Sequence, residues 1–527
     1  MFLYHRKSIL ICVFFVTSFF LSQFFVACKN RNEEALDDYG ARGKLLAHQY
    51  CQSCHLFPEP DLANKKSWTD GILPQMGPRL GIFRYNAVNY PSSRYDINII
   101  GKNYYPTHPL MSDEDWGAIL TYYAEAAPDS LPSQKRDEPI SPNTPLFQPI
   151  VPAVKYPNPV TTFLSVDTSD LPHRLLQSDG LKHALYMYDS QLNLSDSTSF
   201  YGTLLDVIVK KDTMLFCNVG IINPNDGRFG TVEVIATNKK NENLKITSRG
   251  SAPRIADSLR RPVQITEADL NGDGRKDLIV CEFGNLLGSL TWYENEGGTT
   301  YKRHVLRAQP GAINAIVQDY NHDGLPDIWA LFSQGDESIV LFTNKGNGVF
   351  DQEQVLRFPS IYGSSHFELN DFNGDGFPDI LYSCGDNADY SQILKPYHGV
   401  YIFLNDGKQH FTQKFFYPIH GCYKAVARDF DGDGDLDIAT ISFFADYARD
   451  PSEGFVYLEN KGNWKFAPST LPEAESGRWL TMAVGDLDGD GKDDIILGNF
   501  SVGPTPLKSR SNWKEGPPFL FLKNKGK

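Results

Sequence analysis

A nine-residue loop pattern that occurs five times constrains this chain more than any other feature. Oxygen-bearing side chains stand at loop positions 1, 3, 5 and 9, and glycine stands at position 6 in every copy. The ligand positions are Asp269, Asn271, Asp273 and Asp277; Asp319, Asn321, Asp323 and Asp327; Asp371, Asn373, Asp375 and Asp379; Asp429, Asp431, Asp433 and Asp437; and Asp486, Asp488, Asp490 and Asp494. Oxygen ligands at this spacing, with a backbone carbonyl at position 7, are typical of calcium loops. The sequence therefore predicts about five Ca²⁺ ions, one per loop.

The residues that follow the loops distinguish them from EF-hands. An EF-hand has a Glu at position 12 and a helix on each side. Here apolar runs rich in β-branched residues follow, as at residues 278–280 and 495–497. Such runs favour β-strands, so each loop is expected to join two strands. Acidic, glycine-rich turns without a metal remain the alternative.

The spacing of the loops predicts the architecture. Their first residues are separated by 50, 52, 58 and 57 residues, and a period of this length indicates one four-stranded propeller blade per repeat. Two degenerate units, at residues 184–189 and 205–217, bring the expected number of blades to seven. Residues 160–527 resemble the FG-GAP or VCBS repeat family, and the resemblance implies a calcium-binding β-propeller.

A second motif lies near the start of the chain, where Cys51 and Cys54 are followed directly by His55. This is the attachment signature of a c-type haem. Each thiol would bond to one vinyl group of the haem, and His55 would be the proximal axial ligand of the iron. A helix is expected before the motif and another over residues 112–123. This order resembles small class I cytochromes c, which implies an all-α haem domain over residues 35–127.

The second axial ligand of the haem iron is predicted to be Met76, because the neighbouring proline and glycine suit a loop that presents a thioether. Met111 is the next candidate, although it adjoins the second helix and could pack against it. His108, His48 and an open coordination site are further alternatives. A methionine ligand would raise the reduction potential relative to two histidines.

The first 28 residues are predicted to be a targeting segment. A basic start precedes an apolar run that ends at Cys28, and this arrangement is typical of an export signal. A small residue before Cys28 resembles the bacterial lipobox, which implies a signal peptide cleaved before Cys28 and a lipid anchor on that residue. Lys29 favours an outer-membrane lipoprotein, periplasmic or surface-facing. An ordinary secretory signal is the alternative. Residues 128–159 contain nine prolines and are expected to form a semi-rigid linker.

The strand that leads into each loop carries a polar residue five positions before the loop. Because neighbouring residues on these strands are apolar, the polar residues are expected to share the face that lines the central channel. They are predicted to form a binding site together with Arg478; a water-filled channel is the alternative. The ring consists of Gln264, Asn314, His366, Lys424 and Thr481.

Composition agrees with this plan. The formal net charge is −14, and 17 carboxylates stand at the ligand positions of the loops. The acidity is therefore largely ligand charge, and it argues against nucleic acid as a partner. The expected fold is multidomain, with a small all-α cytochrome c-like domain followed by an all-β propeller of seven blades.

Three functions are compatible with these features. The first is an exported electron-transfer lipoprotein whose propeller docks a redox partner protein or binds a ligand. The second is a periplasmic dehydrogenase whose channel site oxidises a small-molecule donor and passes electrons to the haem. The third is an adhesion or glycan-binding module. The haem motif favours the first two and does not separate them, so enzymatic activity stays open.

Overall fold

A seven-bladed β-propeller makes up most of the chain. The structure is a computed structural model that describes residues 38–240, 243–247, 252–388, 390–503 and 511–526. All neighbouring strands within a blade are antiparallel. The first strands of adjacent blades contact each other around a central channel. The blades are, in chain order, β4 (Thr161–Asp167), β5 (Arg174–Asp179), β6 (Ala184–Asp189) and β7 (Leu194–Ser199); β8 (Leu204–Val209), β9 (Thr213–Asn218), β10 (Gly230–Lys240), β11 (Asn243–Ile246) and β12 (Arg254–Leu259); β13 (Pro262–Ala268), β14 (Asp277–Glu282), β15 (Ser289–Gly297) and β16 (Thr300–Arg307); β17 (Ala312–Gln318), β18 (Asp327–Phe332), β19 (Ser338–Asn344) and β20 (Phe350–Arg357); β21 (Ser364–Asn370), β22 (Asp379–Cys384), β23 (Gly399–Asn405) and β24 (Phe411–Pro418); β25 (Cys422–Arg428), β26 (Asp437–Ser442), β27 (Phe455–Asn460) and β28 (Phe466–Ser469); and β29 (Trp479–Gly485), β30 (Asp494–Asn499) and β31 (Phe519–Asn524).

The seventh blade is completed by β3 (Phe147–Ile150), which precedes the propeller in the chain. Phe147 is opposite Asn524, and Ile150 is opposite Phe521, so β3 is the outermost strand of that blade. An edge strand tolerates the proline at position 149, because one side of the strand needs no ladder hydrogen bond. The proline-rich segment 128–159 therefore contributes the strand that closes the ring.

The core lies between the blades. The second strands β14, β18, β22, β26 and β30 are buried along their whole length. Their continuous apolar runs fit strands with both faces covered. The buried clusters of the propeller span adjacent blades, and one of them contains both Ile279 of β14 and Ile328 of β18. Each repeat of the sequence therefore forms one blade, and the blades pack against each other through a continuous series of apolar interfaces.

Residues 38–127 form what is here called the helical cap. Its helices are α1 (Asp38–Cys51), the irregular α2 (residues 65–80), α3 (Ile97–Ile100) and α4 (Asp113–Ala126), and a hairpin joins β1 (Arg84–Tyr85) to β2 (Val88–Asn89). Within α2, Lys65–Ser67 and Leu73–Met76 are α-helical, Trp68–Ile72 is π-helical and Gly77–Leu80 is 3₁₀-helical. Further 3₁₀ turns are Pro60–Leu62, Pro451–Gly454, Pro472–Ser476 and Trp513–Glu515.

The prediction of a separate, small all-α cytochrome c-like domain is wrong. In the part of the chain that the structure describes, the helices are short, and the two longest have 14 residues each. The core of the cap is completed by Ile361 and Ile393 of the propeller. The Tyr397 hydroxyl donates to the Leu62 carbonyl at 2.9 Å. The sequence predicted helices before the motif and over residues 112–123, but it could not show that the propeller covers part of their apolar surface.

None of the described helices is long and apolar enough to cross a membrane. The signal segment 1–28, including Cys28, lies outside the described residues.

Candidate functional site

The two thiols of the haem motif lie at the end of α1. Cys51 is the last residue of the helix, and the Cys54 amide donates to the Cys51 carbonyl at 3.3 Å. The chain therefore makes a single turn between them. Cys51 is partly buried against the core of the cap, Cys54 is exposed, and both are free thiols. Burial raises the pKa of Cys51 to about 11, so this thiol is protonated at neutral pH.

His55 has the hydrogen bonding of a metal-binding imidazole. Its Nδ1 lies 2.7 Å from the Leu56 carbonyl oxygen. Because a carbonyl only accepts, Nδ1 must carry the hydrogen, and a neutral ring then has its lone pair on Nε2. Burial lowers the pKa of His55, which also favours the neutral ligand form. Histidines that bind metals usually donate their other ring N–H in this way.

The candidates for the second axial position differ in their surroundings. Met76 ends the second α-helical part of α2 and packs, half-buried, against the same apolar core as Cys51. Met111 is buried within that core. His48 stacks on Phe57 at a ring separation of 3.8 Å, and His108 is exposed. Cys51 and Met76 share this core, and together with the neighbouring Cys54 and His55 they include the donor types that a covalently attached haem uses.

The five acidic loops connect the first and second strands of the third to seventh blades. In the first loop, Asp269 accepts hydrogen bonds from the amides of Gly272, Asp273 and Gly274 at 2.8, 3.1 and 2.8 Å. Gly274 has φ +83°, in the left-handed region where glycine is favoured. The loop is thus folded around its own carboxylates, and the glycine predicted at position 6 permits the turn.

The aspartate at position 9 begins the second strand and is fully buried in all five loops. In the third loop, Asp379 accepts from the amides of Phe372 and Asn405, at 3.0 and 2.9 Å. Burial raises the pKa of all five, to about 7 at Asp437 and about 6 at Asp494, although backbone donors oppose the shift. These aspartates are Asp277, Asp327, Asp379, Asp437 and Asp494.

Carboxylates come together most closely in the last two loops. One oxygen each from Asp429, Asp431 and Asp433 lies within 4.8 Å of the others, and the same holds for Asp486, Asp488 and Asp494. The loops are not equivalent, because Lys523 pairs with Asp488 in the fifth loop. In the first loop, by contrast, Glu294 lies 3.2 Å from the Asn271 amide nitrogen.

Asn344, the last residue of the third strand of the fourth blade, bonds to two of the acidic loops. Asn344 donates from its backbone amide to Asp327 and from its side chain to the Leu270 carbonyl, at 2.7 and 3.0 Å. Leu270 belongs to the loop of the preceding blade. Asn524 makes the same inter-blade contact with Phe430. The repeated asparagine was the available signal, but sequence spacing does not show contacts between blades.

The predicted channel ring lies on the innermost strands, and its members are half-buried. Two of them bond to the next blade: Gln264 pairs with the backbone of Ala315, and the Lys424 ammonium donates to the Met482 carbonyl at 3.0 Å. Burial lowers the pKa of Lys424 and, well below its usual value, that of His366. These contacts give the ring a role in joining the blades, and ligand binding there stays a prediction.

The remaining ring positions contain polar atoms without a hydrogen-bond partner among the described residues. They are Asn314 Oδ1, His366 Nδ1 and Thr481 Oγ1. Arg478 is buried, with its guanidinium 3.6 Å above the Phe443 ring and Nε donating to the Phe443 carbonyl. Burial lowers the pKa of Arg478 to about 10. Its participation in a site with the other five residues stays a prediction.

Similarity to known proteins is concentrated in the propeller. Residues 269–330, 319–382 and 443–497 match the FG-GAP-like repeat. These matches include four of the five acidic loops in whole or in part and support an FG-GAP β-propeller.

Two relatives give the same indication. Integrin alpha-PS3 of Drosophila melanogaster is 29% identical over 153 residues, 24% of this chain and 14% of that protein. Cartilage acidic protein 1 of Xenopus tropicalis is 31% identical over 181 residues, 32% of this chain and 26% of that protein. The chain thus spans about a quarter or less of each relative's length.

Among solved structures, the N-terminal domain of Nup159 has a TM-score of 0.41 at 12% identity, covering 74% of this chain and 99% of that chain. An FG-GAP propeller with integrin-like relatives fits a docking or binding platform.

Proposed function

We propose that this protein is an exported electron-transfer lipoprotein that attaches one haem c at the cap and uses its propeller as a docking platform for a redox partner. The observation that carries the proposal is the geometry of the motif itself. Cys51 and Cys54 stand one turn apart, and His55 Nδ1 is held by the Leu56 carbonyl at 2.7 Å. This combination suits covalent attachment together with axial ligation through Nε2.

Each residue of the motif has a distinct role in this proposal. Cys51 and Cys54 would hold the group through their thiols, and His55 and Met76 would bind the iron, with Met76 and Cys51 packed against the same apolar core. The haem would supply one-electron transfer when bound. The apolar residues around Met76 and Cys51 limit the access of water, and a dry, low-dielectric surrounding affects the reduction potential.

The attachment of the cap to the propeller supports a docking role for the propeller. Ile361, Ile393 and Tyr397 of the propeller pack on or bond to the cap. Gly71 of α2 approaches the backbone of Tyr390 so closely that a Cβ atom would overlap its carbonyl oxygen. A partner bound to the propeller would therefore be held at a fixed distance from the haem site. About five Ca²⁺ ions in the acidic loops would stiffen this platform.

Export and membrane attachment through Cys28 belong to the proposal on the strength of the sequence alone. The apparatus that attaches haem to such motifs works outside the cytoplasm. A protein with this motif must therefore be exported, and the signal segment would provide that export. Mass spectrometry of the membrane-extracted protein tests this part. A diacylated Cys28 at the N-terminus is expected, and a mature chain that begins elsewhere without lipid would contradict it.

The haem is tested by producing the full chain with a cytochrome c maturation system. A covalently bound haem should persist after denaturing electrophoresis and give a c-type reduced spectrum. The double variant Cys51→Ala/Cys54→Ala should lose it, whereas Cys422→Ser, at a thiol of the propeller, should keep it. Absence of covalent haem from the folded wild-type protein would overturn the proposal.

The axial ligands are tested by matched pairs of variants. His55→Ala should abolish stable haem incorporation, whereas His108→Ala, at an exposed histidine of the cap, should not. Met76→Leu should lower the reduction potential and change the low-spin spectrum, whereas Met111→Leu should leave both close to wild type. The reverse result for the two methionines would assign the ligand to Met111.

A further inference from the structure

An open cleft lies between the first and second blades. It has a volume of about 500 Å³, which is within the usual range for small-molecule sites. One wall is formed by the end of β7, and the other by β9, β10 and β12. The second blade is irregular here, because β11 and β12 pair with different parts of the 11-residue β10. It also lacks an acidic calcium loop.

Aromatic rings line this cleft and are exposed to solvent. The Tyr201 side chain is 96% exposed and that of Phe229 is 57% exposed, while Phe200 and Phe216 lie deeper. Contiguous exposed apolar surface of this kind often marks a binding site for a ligand or a partner. A flat ring of this kind can pack against the C–H face of another molecule.

The aromatic rim is held in place by its neighbours. Asn218 is buried and accepts from the amides of Thr203 and Gly220, at 3.1 and 2.9 Å, while its side chain donates to the Tyr201 carbonyl. A Cβ atom at Gly220 would lie 2.6 Å from the Cβ of Phe229, so Gly220 is packed directly against Phe229. The two loops that carry Tyr201 and Phe229 are thus fixed relative to each other, which reduces the entropy cost of binding.

The polar groups of the cleft are numerous and electrically balanced. Hydroxyls come from Ser197, Thr198 and Ser199 on one wall. Glu233 accepts from the Thr231 hydroxyl at 3.0 Å and lies 3.5 Å from Arg254. Among the described lining residues Arg254 is the single cation, and Glu233 neutralises it. The cleft therefore offers little to a phosphate or other anion, but it offers donors and acceptors to a neutral, hydroxyl-rich molecule.

An extended peptide that adds to the sheet fits less well. The start of β7 is already covered by β11, since the Ile246 amide donates to Asp196 at 3.0 Å and the Lys245 ammonium donates to the Ser195 carbonyl. Addition of a strand needs a free backbone edge.

We infer that this cleft between the first two blades binds a neutral oligosaccharide, with Tyr201 and Phe229 packing against sugar rings and the hydroxyls and the Glu233–Arg254 pair binding sugar hydroxyls. The site would give the docking platform a glycan ligand. It does not depend on haem or calcium, because no residue of either proposed site lines it.

The test uses the full-length protein and isothermal titration with four neutral tetrasaccharides, built from glucose, mannose, galactose or N-acetylglucosamine. At least one should bind, and Tyr201→Ala and Phe229→Ala should each weaken that binding by about tenfold or more. The matched control is Tyr95→Ala, which removes a similarly exposed ring, 80% exposed, from the cap and should leave the affinity unchanged.

Thermal unfolding of each variant separates loss of binding from loss of fold, and Tyr201→Ala should unfold at the wild-type temperature because its side chain is almost fully exposed. The inference is overturned if none of the four sugars binds at millimolar concentration, or if both aromatic variants bind as wild type does. It is also overturned if only sulfated or sialylated oligosaccharides bind. Haem content, measured separately, is expected to be the same in all of these proteins.

Discussion

At the scale of single residues, the least expected feature is a buried ion cluster that fixes the linker to the propeller. Arg136, from the proline-rich segment, pairs with Asp450 at 2.6 Å and with Glu453, whose side chain is fully buried. Glu453 also accepts from the Asp446 amide at 2.9 Å. Arg136 further donates to the Pro418 carbonyl. A buried carboxylate requires a charge partner of this kind.

Replacing Arg136 by Ala should therefore be strongly destabilising. The change would leave the Glu453 carboxylate buried without its cation, and such losses cost about 3–5 kcal/mol of the free energy of unfolding. Lys135→Ala, at the exposed neighbouring position, is the matched control and should cost less than about 0.5 kcal/mol. Urea unfolding of the two variants measures this difference. Equal urea midpoints for Arg136→Ala and Lys135→Ala would contradict the role given to Arg136.

His420 belongs to the same cluster and predicts a pH dependence. Its Nδ1 lies 2.9 Å from Glu453, but burial, followed by the charge of Arg136, lowers its pKa to about 4. Because Arg136 already neutralises the Glu453 carboxylate, the His420 imidazole stays neutral and donates a hydrogen bond to Glu453 from Nδ1. The unfolded chain, with a histidine pKa of about 6.5, binds more protons between pH 6.5 and pH 4.

The stability contributed by neutral His420 should thus be complete above about pH 6.5 and decline by up to about 3 kcal/mol as the pH falls to 4. In His420→Gln the donor to Glu453 is retained without a titrating group, so the free energy of unfolding should fall less steeply over this window. His410→Gln, at an exposed histidine, should keep the wild-type slope. Parallel curves for wild type and His420→Gln would show that His420 does not titrate as expected.

At the scale of elements, the propeller depends on β3 for closure. Phe147 of β3 is 2% exposed and lies edge-on to the rings of Phe430 and Tyr457, at centroid distances of 5.7 and 5.3 Å. It therefore joins the seventh blade to the core of the sixth. A strand of four residues carries this role because its one large side chain reaches between the blades.

Phe147→Ala should lower the free energy of unfolding by about 3–5 kcal/mol, because the change removes a fully packed ring and leaves a cavity. Val151→Ala, just beyond the strand and 46% exposed, should change it by less than about 0.5 kcal/mol. Denaturant unfolding followed by tryptophan fluorescence measures both. A small effect of the first substitution would mean that the ring closes without β3.

The sequence shows those features of the elements that depend on neighbouring residues, but not the contacts between elements that are far apart in the chain. The loops, their glycines and the seven blades could be predicted, because each depends on residues close together in the chain. The bond between Tyr397 and Leu62 joins residues 335 positions apart, and no periodicity marks it. Likewise Gln264 showed as a polar residue on an apolar strand, but its bond to Ala315 depends on how the next blade is placed. Contacts of this kind follow from the assembled ring.

At the scale of the whole molecule, calcium binding would stabilise five blades together. Each loop connects two strands of its blade, and Asn344 and Asn524 bond to the first and the fourth loop, each in the preceding blade. An ion bound in either of these two loops would therefore support two blades. Free energy gained by binding the folded state alone is about 2.7 kcal/mol per site when the ligand is at 100 times its dissociation constant.

Removal of Ca²⁺ with a chelator should accordingly lower the melting temperature of the full chain, and calcium should restore it in a concentration-dependent way. The expected loss is about 2–3 kcal/mol for each site that is occupied at 100 times its dissociation constant. Excess Mg²⁺ should restore little, since it requires six ligands in a tight octahedron. Identical melting curves in calcium and in chelator would argue that the loops are acidic turns without a metal.

The position of β3 in the chain has a consequence for the order of biosynthesis. Phe147 is translated before every strand of the propeller, and its partner Asn524 is translated 377 residues later. At about 5–20 residues per second, β3 waits roughly 20 to 75 s for the strand it pairs with. The ring can be sealed only after Asn524 has emerged, so a product that terminates before this residue would keep an open, exposed edge and be recognisable to proteases as incomplete.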